Sequence, residues 1–332
     1  MSRRSPKISL GMPIYNGAEF LRETFDSLLQ QTFGDFELII SDNASTDETS
    51  DICRDYARSD PRIRYERLSE NAGAIANFNR LPTLASGEYY KWVAADDLCM
   101  PRFLECTLKT IESNADAVWV HSDFGKIDQH GNVLTVEDEA AEGLAHSSQA
   151  NQPRMHHDSP RRHKRFQGVL LGTTWCADVY GLIRKSVLDK AFPMPTCYGA
   201  EKVLLGELAL RGKYYQVPET LFYQRVHAKT SGSMTTRAEQ EAYMSPKKKR
   251  SRLSGTRLAL LRGHIRSIGN VPMSHSERLL CILAIFQYLA QLPKWPTLLR
   301  SELLHEPIRR PTSHPKKSRP SEGEGRKLSP HP

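Results

Sequence analysis

Short apolar segments alternate with longer amphipathic segments through the first third of the chain, and this alternation constrains the fold most strongly. The apolar segments have the length and period of strands, and the amphipathic ones repeat their hydrophobic residues at helical spacing. The predicted strands cover residues 7–13, 35–41, 62–66, 88–94 and 117–120. Strands that alternate with helices predict an α/β fold with a mainly parallel central sheet flanked by helices. In such a sheet, ligands bind at the carboxyl ends of the strands.

The helices between these strands are predicted from hydrophobic spacing and from capping residues. The first covers residues 17–32, and another covers 72–84. Ser45 and Glu48 have the spacing of a capping box, so the helix between those two is predicted to begin near Thr46.

The remainder of the chain divides by composition. Residues 136–166 are polar and contain two prolines, and we interpret them as a mobile insertion or an acceptor loop. Residues 236–304 are predicted to form a helical C-terminal extension of an α/β domain that covers residues 1–235. The end of the chain, residues 305–332, is rich in Pro, Ser and Lys and is predicted to be a disordered basic tail.

Cysteine usage and the N-terminus bear on the compartment. None of the six cysteines forms a C-x-x-C pair, so we interpret them as reduced, mostly buried thiols. The first ten residues lack the apolar segment of a signal peptide, and a cytoplasmic location is predicted. The longest apolar stretch, residues 279–292, is shorter than the roughly 20 residues of a bilayer span. Three interpretations of it are a core helix, a dimer contact and a peripheral contact with the inner face of a membrane.

The formal net charge of +8 suggests an anionic partner. Much of the excess lies in the tail of residues 305–332 and in the basic run 247–250. We interpret these as solvated charges, and no nucleic-acid partner is predicted. Salt-sensitive binding of nucleic acid through the tail is the alternative.

Polar residues follow the first two predicted strands. After the first strand, Asn16 and Gly17 allow a tight turn, and Tyr15 offers a flat face against which a base could pack. After the second strand, Asp42 stands at the expected ligand edge of the sheet. Its carboxylate could accept hydrogen bonds from a base or a ribose there. Asp47 is interpreted as a structural acid of a first helical turn.

Two adjacent carboxylates end the fourth predicted strand, in the sequence KWVAADD. Asp96 and Asp97 repel each other and lose hydration at this position, so a bound cation would stabilise both. Carboxylate oxygens suit Mg²⁺ or Mn²⁺, which also bridge phosphate oxygens. The alternative is a solvent-exposed turn whose acids cap the helix that begins near Pro101.

Taken in order, these three motifs resemble those of family 2 glycosyltransferases with the GT-A fold. The matching stretches are ISLGMPIYNGAEFLRETFDSLLQQTFGDFELIISDNASTDET, ENAGAIANFNR and SGEYYKWVAADD, followed by VYGLIRKSVL and GAEKVLLGELALRGKYYQVPETLFYQRVH. The resemblance covers roughly residues 7–230. It implies an inverting transfer of a sugar from a nucleoside-diphosphate sugar to an acceptor hydroxyl, in glycan or polysaccharide biosynthesis. A nucleotide-sugar-binding protein without transfer activity is the alternative.

The resemblance also implies roles for the residues at matching positions. The residues that would bind the nucleotide-sugar donor are Pro13, Tyr15, Asn16, Asp42, Asn71, Gly73, Asn77 and Asp96. Asp97 would bind the metal, Mg²⁺ or Mn²⁺. Ala95 stands where many relatives have another Asp, so the motif reads A-D-D in place of D-x-D, and Asp97 is the firmer metal ligand.

The catalytic base is assigned from a later part of the resemblance. Many family members have Glu-Asp where this chain has Ala200 and Glu201, and the second acid deprotonates the acceptor. The resemblance therefore implies that Glu201 is the base, with a reach one methylene longer than that of Asp. From the residues alone, an ordinary first-turn helix acid is the alternative. The acceptor would be a glycan or a lipid-linked molecule.

Further candidates lie outside these motifs. One group is interpreted as part of a solvated loop or as a contact to acceptor or phosphate: His156, His157, Asp158 and His163. Trp175 and Asp178 are candidates for the border of an acceptor pocket. His227 would approach the diphosphate by the same resemblance, and a strand-end histidine is the alternative.

Overall fold

The computed structural model describes residues 5–135, 137–138, 157–172, 177–191, 193–230, 234, 236–244 and 256–290. Eight strands in this part of the chain form one sheet. They are β1 (Ile8–Ile14), β2 (Phe36–Asp42), β3 (Ile63–Arg67), β4 (Tyr89–Trp92), β5 (Leu98–Cys99), β6 (Ala117–Ile127), β7 (Leu182–Arg184) and β8 (Lys213–Arg225).

Helices cover both faces of this sheet and continue beyond it. They are α1 (Ala18–Leu29), α2 (Thr49–Ser59), α3 (Ala74–Leu84), α4 (Phe103–Ser113), α5 (Arg162–Gly172), α6 (Lys185–Ala191), α7 (Ala200–Arg211), α8 (Arg237–Met244), α9 (Thr256–Asn270) and α10 (His275–Leu289). A single 3₁₀ turn (Ala177–Tyr180) precedes β7.

The strands lie in the order β3-β2-β1-β4-β7-β6-β8-β5. β1 is parallel to β2 on one side and to β4 on the other, and β2 is parallel to β3. The register places Ile14 beside Asp42, so β1 and β2 end at the same level. The other half is mixed, because β7 runs antiparallel to β4 and β6 while β6 and β8 are parallel. The predicted α/β fold with a mainly parallel sheet is confirmed.

Alternate strand residues pack against helices on opposite faces of the sheet. Leu38 and Ile40 belong to the core formed with α1, α2 and α4, whereas Ile39 belongs to the core formed with α3 and α7. Because both faces are covered, β1 and β2 carry nearly continuous apolar runs. Polar side chains therefore gather where the strands end.

Two helices beyond the sheet form an additional layer. α9 and α10 pack on α5 and α7 through a small core that includes Phe166, Leu170, Leu210, Ile268, Cys281 and Ile285. The predicted helical C-terminal extension is confirmed for this part, and residues 291–332, with the predicted tail, lie outside the described residues. Within the described ranges, no helix combines the length and the apolar character needed to cross a bilayer.

The start of α2 differs from the sequence prediction. The helix begins at Thr49 and not near Thr46. The predicted capping box does not form, because the Ser45 hydroxyl instead accepts a hydrogen bond from the backbone N–H of Asn16 at 3.0 Å. Ser45 thus links the loop after β2 to the loop after β1, and it does not pair with Glu48 as predicted.

The interpretation of residues 136–166 as a mobile insertion or an acceptor loop is wrong at the end of this segment, which is helical. α5 begins at Arg162, and Phe166 and Leu170 are buried against the neighbouring helices. Four basic residues in this segment masked its short apolar stripe in the sequence. The central part of the insertion, residues 139–156, lies outside the described residues.

Candidate functional site

A cavity of about 320 Å³ opens where β1, β2 and β4 end. Most of the sequence-predicted donor and metal residues line it, namely Pro13, Tyr15, Asn16, Asn71, Asn77, Asp96 and Asp97. Asp42, Gly73 and Glu201 do not line it. The parallel pairing of these strands explains the gathering, because it brings their carboxyl ends to one edge of the sheet.

The loop after β1 is fixed to the loop after β2 by hydrogen bonds. Asn16 adopts a left-handed φ of 51°, which Asn tolerates better than most residues. Its side-chain oxygen accepts a bond from the backbone N–H of Thr46 at 2.7 Å, and the N–H of Gly17 donates to the Thr49 hydroxyl at 2.9 Å. Tyr15 follows the end of β1 and is 47% exposed, so its ring is available at the cavity.

Asp42 is fully buried behind the wall of the cavity. Its carboxylate accepts hydrogen bonds from the backbone N–H of Ser45 at 2.8 Å, from the Ser50 hydroxyl at 2.9 Å and from the Tyr65 hydroxyl at 2.7 Å. Burial acts to raise the pKa of Asp42, but the bonds from Ser45, Tyr65 and Ser50 outweigh it and hold the pKa below its usual value. In this conformation Asp42 organises the loop that borders the cavity.

The variant Asp42→Asn should lose about 1–3 kcal/mol of unfolding free energy at neutral pH. The reason is that the amide nitrogen of Asn cannot accept the hydrogen bonds that the second carboxylate oxygen of Asp42 accepts. The lowered pKa of Asp42 means that its ionised form stabilises the fold above its unfolded pKa of about 4. That contribution is lost as the pH falls through the folded pKa. Urea unfolding of the wild type and of Asp42→Asn should therefore show a difference in unfolding free energy that shrinks as the pH falls. Asp189→Asn is the control, since Asp189 is exposed and pairs with Lys185 one helical turn away. Equal stability of wild type and Asp42→Asn at neutral pH would contradict this role.

Side-chain amides form the wall of the cavity beside Asp42. The Asn43 amide donates to the Asn71 side-chain oxygen at 2.9 Å, and the Asn43 oxygen accepts from the backbone N–H of Ala72 at 2.8 Å. The Asn77 amide donates to the Ser41 carbonyl at 2.7 Å, while its own buried oxygen has no hydrogen-bond partner among the described residues. Gly73 has a left-handed φ of 89° and turns the chain into α3. Its role is thus conformational in this structure.

The acid pair lies at the opposite side of the cavity. Asp96 contacts the Nε2 atom of His227 at 2.9 Å, and the Asp97 carboxylate accepts the backbone N–H of Arg225 at 2.9 Å. Asp97 is only 5% exposed. Burial raises the pKa of Asp97 well above its usual value, and the charge of Asp96 raises it further. The ionised form of Asp97 is therefore costly in the absence of an added positive charge.

Arg225 holds the backbone of the acid pair in place. Its guanidinium is fully buried, donates to the Asp96 carbonyl at 2.9 Å and pairs with Glu23 at 2.7 Å. The guanidinium also lies 4.6 Å from the centroid of the Phe20 ring. Arg225 was not predicted as a site residue, although it lies two positions before His227 in the stretch that ends in YQRVH.

Lys91 is a second buried cation that sequence reasoning did not identify. It is fully buried, its ammonium donates to the Tyr180 carbonyl, and it lies 4.4 Å from the Phe103 ring centroid and 5.3 Å from that of Phe222. Burial lowers the pKa of Lys91, and the charge of Asp97 opposes that change. Reciprocally, the positive charge of Lys91 acts to lower the pKa of Asp97. Lys91 therefore offsets part of the cost of ionising Asp97.

The carboxylates at this end of the cavity fit a divalent metal that takes some of its ligands from a phosphate. No group of three or more His, Cys, Asp and Glu side chains forms a ready metal cage among the described residues. Mg²⁺ typically uses one or two protein carboxylates and takes its other ligands from substrate phosphates and water. Asp96 and Asp97 supply such carboxylates, and a cation beside them would favour the ionised form of Asp97.

Glu201 lies near the cavity without lining it. It is the second residue of α7. Tyr180 and Tyr243 do line the cavity, and the negative charges of both Asp96 and Glu201 raise the pKa of each tyrosine. Desolvation is the larger cause in both, and it contributes most to the Tyr243 pKa of about 12. Both phenols therefore lie within electrostatic range of Asp96 and of Glu201.

The remaining candidates are separated in space. His163 is buried and contacts Glu277 of α10 at 2.9 Å, so it links two helices. Asp178 is buried, accepts a hydrogen bond from the Tyr214 hydroxyl at 3.3 Å and does not line the cavity. His227 lines the cavity beside Asp96. His156 and Trp175 lie outside the described residues.

Comparison with solved structures supports the architecture. TarS of S. aureus, solved with UDP-GlcNAc, matches with a TM-score of 0.60 and 16% identity, over 86% of this chain and 73% of that one. The mannosyltransferase PcManGT of Pyrobaculum calidifontis, solved with GDP-Man and Mn²⁺, matches with a TM-score of 0.50 and 16% identity, over 91% and 86%. These likenesses show that the fold is of the GT-A type, as predicted.

Sequence comparison identifies the family. An uncharacterised glycosyltransferase of Nostoc sp., alr2836, is 28% identical over 71% of this chain and 70% of its own length. Another from Methanocaldococcus jannaschii, MJ1057, is 34% identical over 39% of this chain. The chain spans less than half the length of several curated relatives, at 45% of MJ1057 and 40% of a Rickettsia typhi protein. The model of glycosyl transferase family 2 matches residues 9–192, and the chain belongs to this family of glycosyltransferases.

Proposed function

We propose that this protein is an inverting glycosyltransferase that moves a sugar from a nucleoside-diphosphate sugar to an acceptor hydroxyl, in glycan or polysaccharide biosynthesis. The observation that carries the proposal is the cavity, where the exposed ring of Tyr15 and the acid pair Asp96 and Asp97 face one space. The transferases of similar fold that were solved with UDP-GlcNAc and with GDP-Man and Mn²⁺ support a donor of this class.

The donor would lie across the carboxyl ends of β1, β2 and β4. Tyr15 would pack against the base, and Pro13, Asn16, Asn71 and Asn77 would shape the pocket around the nucleoside. Asp42 and Gly73 would act from behind, through the conformation of their loops. The buried side-chain oxygen of Asn77, which accepts no hydrogen bond from the part of the chain that the structure describes, would accept one from a hydroxyl of the nucleotide sugar after a small rotation.

The diphosphate would lie at the acid pair. Asp97, with Asp96 beside it, would hold Mg²⁺ or Mn²⁺, which when bound stabilises the charge that develops on the departing diphosphate. Asp96 would also approach the ribose or the sugar. His227 already contacts Asp96 at 2.9 Å and would donate a hydrogen bond to a phosphate oxygen after a shift toward it. Arg225 and Lys91 place two buried positive charges behind this end of the cavity.

The acceptor would approach from the side of Glu201. Its hydroxyl oxygen forms a bond to the anomeric carbon while the bond from that carbon to the diphosphate oxygen breaks. The Glu201 carboxylate takes the hydroxyl proton, as a general base. Attack opposite the leaving group inverts the configuration of the anomeric carbon. Tyr243 lines the cavity within range of both acidic groups and would contact the sugar between them.

We further propose that the protein acts on the cytoplasmic side of the cell, where nucleotide-sugar donors are available, on a glycan or a lipid-linked acceptor. The N-terminal residues 1–235 would be the catalytic domain, with residues 236–304 as its helical extension.

A panel of nucleotide sugars tests the proposed function. UDP- and GDP-linked sugars are incubated with the protein and Mn²⁺ or Mg²⁺, and the released nucleoside diphosphate is measured with and without EDTA. We expect release from at least one donor, abolished by EDTA and restored by excess metal. A donor that binds in calorimetry but is neither hydrolysed nor transferred would instead indicate a nucleotide-sugar-binding protein without transfer activity.

A further inference from the structure

α10 presents an apolar face to solvent. Leu279 and Phe286 are 58% and 62% exposed, although both are large apolar side chains. The other exposed apolar residues of the helix are Leu280, Ile282 and Leu283. Their spacing of three, four and seven residues places most of them on one helical face. Contiguous exposed apolar patches of this kind mark interaction surfaces.

The opposite face anchors the helix to the protein. Cys281, Ala284 and Ile285 are buried in the core shared with α5 and α7. Hydrogen bonds add to this packing, since the Gln167 amide donates to the Gln287 side-chain oxygen at 2.6 Å. Ser274 caps the first turn by accepting from the backbone N–H of Glu277. One face of α10 therefore fixes the helix to the protein, while the exposed apolar residues of the other face point to solvent.

The helix beside α10 and the sequence that follows α10 are basic. On α9, which packs beside α10, Arg262 and Arg266 are exposed and flank Ile265, itself an exposed apolar residue. Residues 256–290 contain four arginines and one acidic residue, Glu277, which contacts His163. The sequence after residue 290 has nine Lys and Arg against four Glu. An apolar face beside exposed arginines is complementary to an anionic lipid surface.

We propose that α10 and α9 form a docking surface for an anionic bilayer. Leu279, Leu283 and Phe286 enter the interface between headgroups and acyl chains, and Arg262 and Arg266 contact lipid phosphates. A second copy of this chain is a poorer occupant, because a two-fold contact through this face would bring the same arginines of both copies toward each other. The surface lies outside the cavity, so docking and donor turnover are separate properties.

Vesicle flotation of the full chain tests this docking surface. Phosphatidylcholine vesicles are compared with vesicles that also contain phosphatidylglycerol. We expect the protein to float with the anionic vesicles and Phe286→Glu to lower the bound fraction at least about tenfold. Replacing Arg262 and Arg266 together by Gln should reduce binding to the level seen with phosphatidylcholine alone. The matched control is Val133→Glu, at an exposed apolar residue on the loop after β6, which should bind as wild type does.

Three results would overturn the proposal. The first is no flotation of the wild type, and the second is full flotation of Phe286→Glu. The third is a wild-type dimer in light scattering that Phe286→Glu converts to a monomer while flotation is unchanged, which would assign the face to a second copy. Leu283→Gln provides a milder variant if Phe286→Glu does not fold, as judged by circular dichroism. Donor hydrolysis without vesicles should be equal in all these variants, so failure of docking and failure of the proposed activity are distinguishable.

Discussion

Replacing Asp97 by Asn is expected to lower metal-dependent turnover of the donor by about 10³-fold, because several kcal/mol of leaving-group stabilisation depend on this carboxylate. The fold should survive. The Asn side-chain oxygen can still accept the backbone N–H of Arg225, which Asp97 accepts at 2.9 Å. Burial also raises the pKa of Asp97, so a neutral side chain is tolerated at this position in the absence of metal. The two turnover rates are compared by the steady-state release of nucleoside diphosphate from wild type and Asp97→Asn over a range of Mn²⁺ concentrations.

The control for this variant is Asp189→Asn, which removes the same charge from an exposed residue of α6. It should retain wild-type turnover. Thermal unfolding of both variants without metal separates loss of activity from loss of structure. Turnover of Asp97→Asn within a few-fold of wild type would remove this residue from the metal site.

Replacing Glu201 by Gln is expected to lower sugar transfer by about 10²–10⁴-fold, since Gln cannot take the proton of the acceptor hydroxyl. Donor affinity should be unchanged, because Glu201 does not line the cavity that holds the donor in the proposed complex. Calorimetry with the nucleotide sugar and a transfer assay with the acceptor separate these two quantities. Together with Asp97→Asn, this variant separates the loss of leaving-group stabilisation from the loss of acceptor deprotonation.

The matched variant is Glu201→Asp, which keeps a carboxylate and shortens its reach by one methylene. Its transfer rate should lie between those of the wild type and Glu201→Gln. If Glu201 were purely structural, Glu201→Asp would have no advantage over Glu201→Gln. Glu112→Gln serves as a charge control on α4, where Glu112 is exposed and pairs with Lys7. Wild-type transfer by Glu201→Gln would assign the base to another group.

The sheet and the position of the site could be predicted because they depend on local patterns. Runs such as Phe36–Asp42 are apolar on both faces, and their polar ends mark one edge of a parallel sheet. The direction of a side chain at that edge was not predictable. Asp42 turns inward because Tyr65, on the neighbouring strand, and Ser50, on the following helix, donate to it.

The residues that sequence reasoning missed are held by contacts between distant parts of the chain. Arg225 donates to the carbonyl of Asp96 from 129 positions away, and Lys91 is enclosed by rings from α4 and β8. No spacing rule links such residues, because their proximity follows from the order β6-β8-β5 at the far side of the sheet. The shifted start of α2 has the same origin, since the Ser45 hydroxyl accepts the backbone N–H of Asn16 and does not cap α2.

Diffraction from crystals grown with Mn²⁺ and a bound nucleotide sugar tests the central claim most directly. The manganese anomalous peak should lie about 2–2.5 Å from a carboxylate oxygen of Asp97, with the diphosphate beside it and the base against Tyr15. The bound sugar should then separate Asp96 from Glu201. A nucleotide outside the cavity at the ends of β1, β2 and β4, or a metal without a bond to Asp97, would contradict the account.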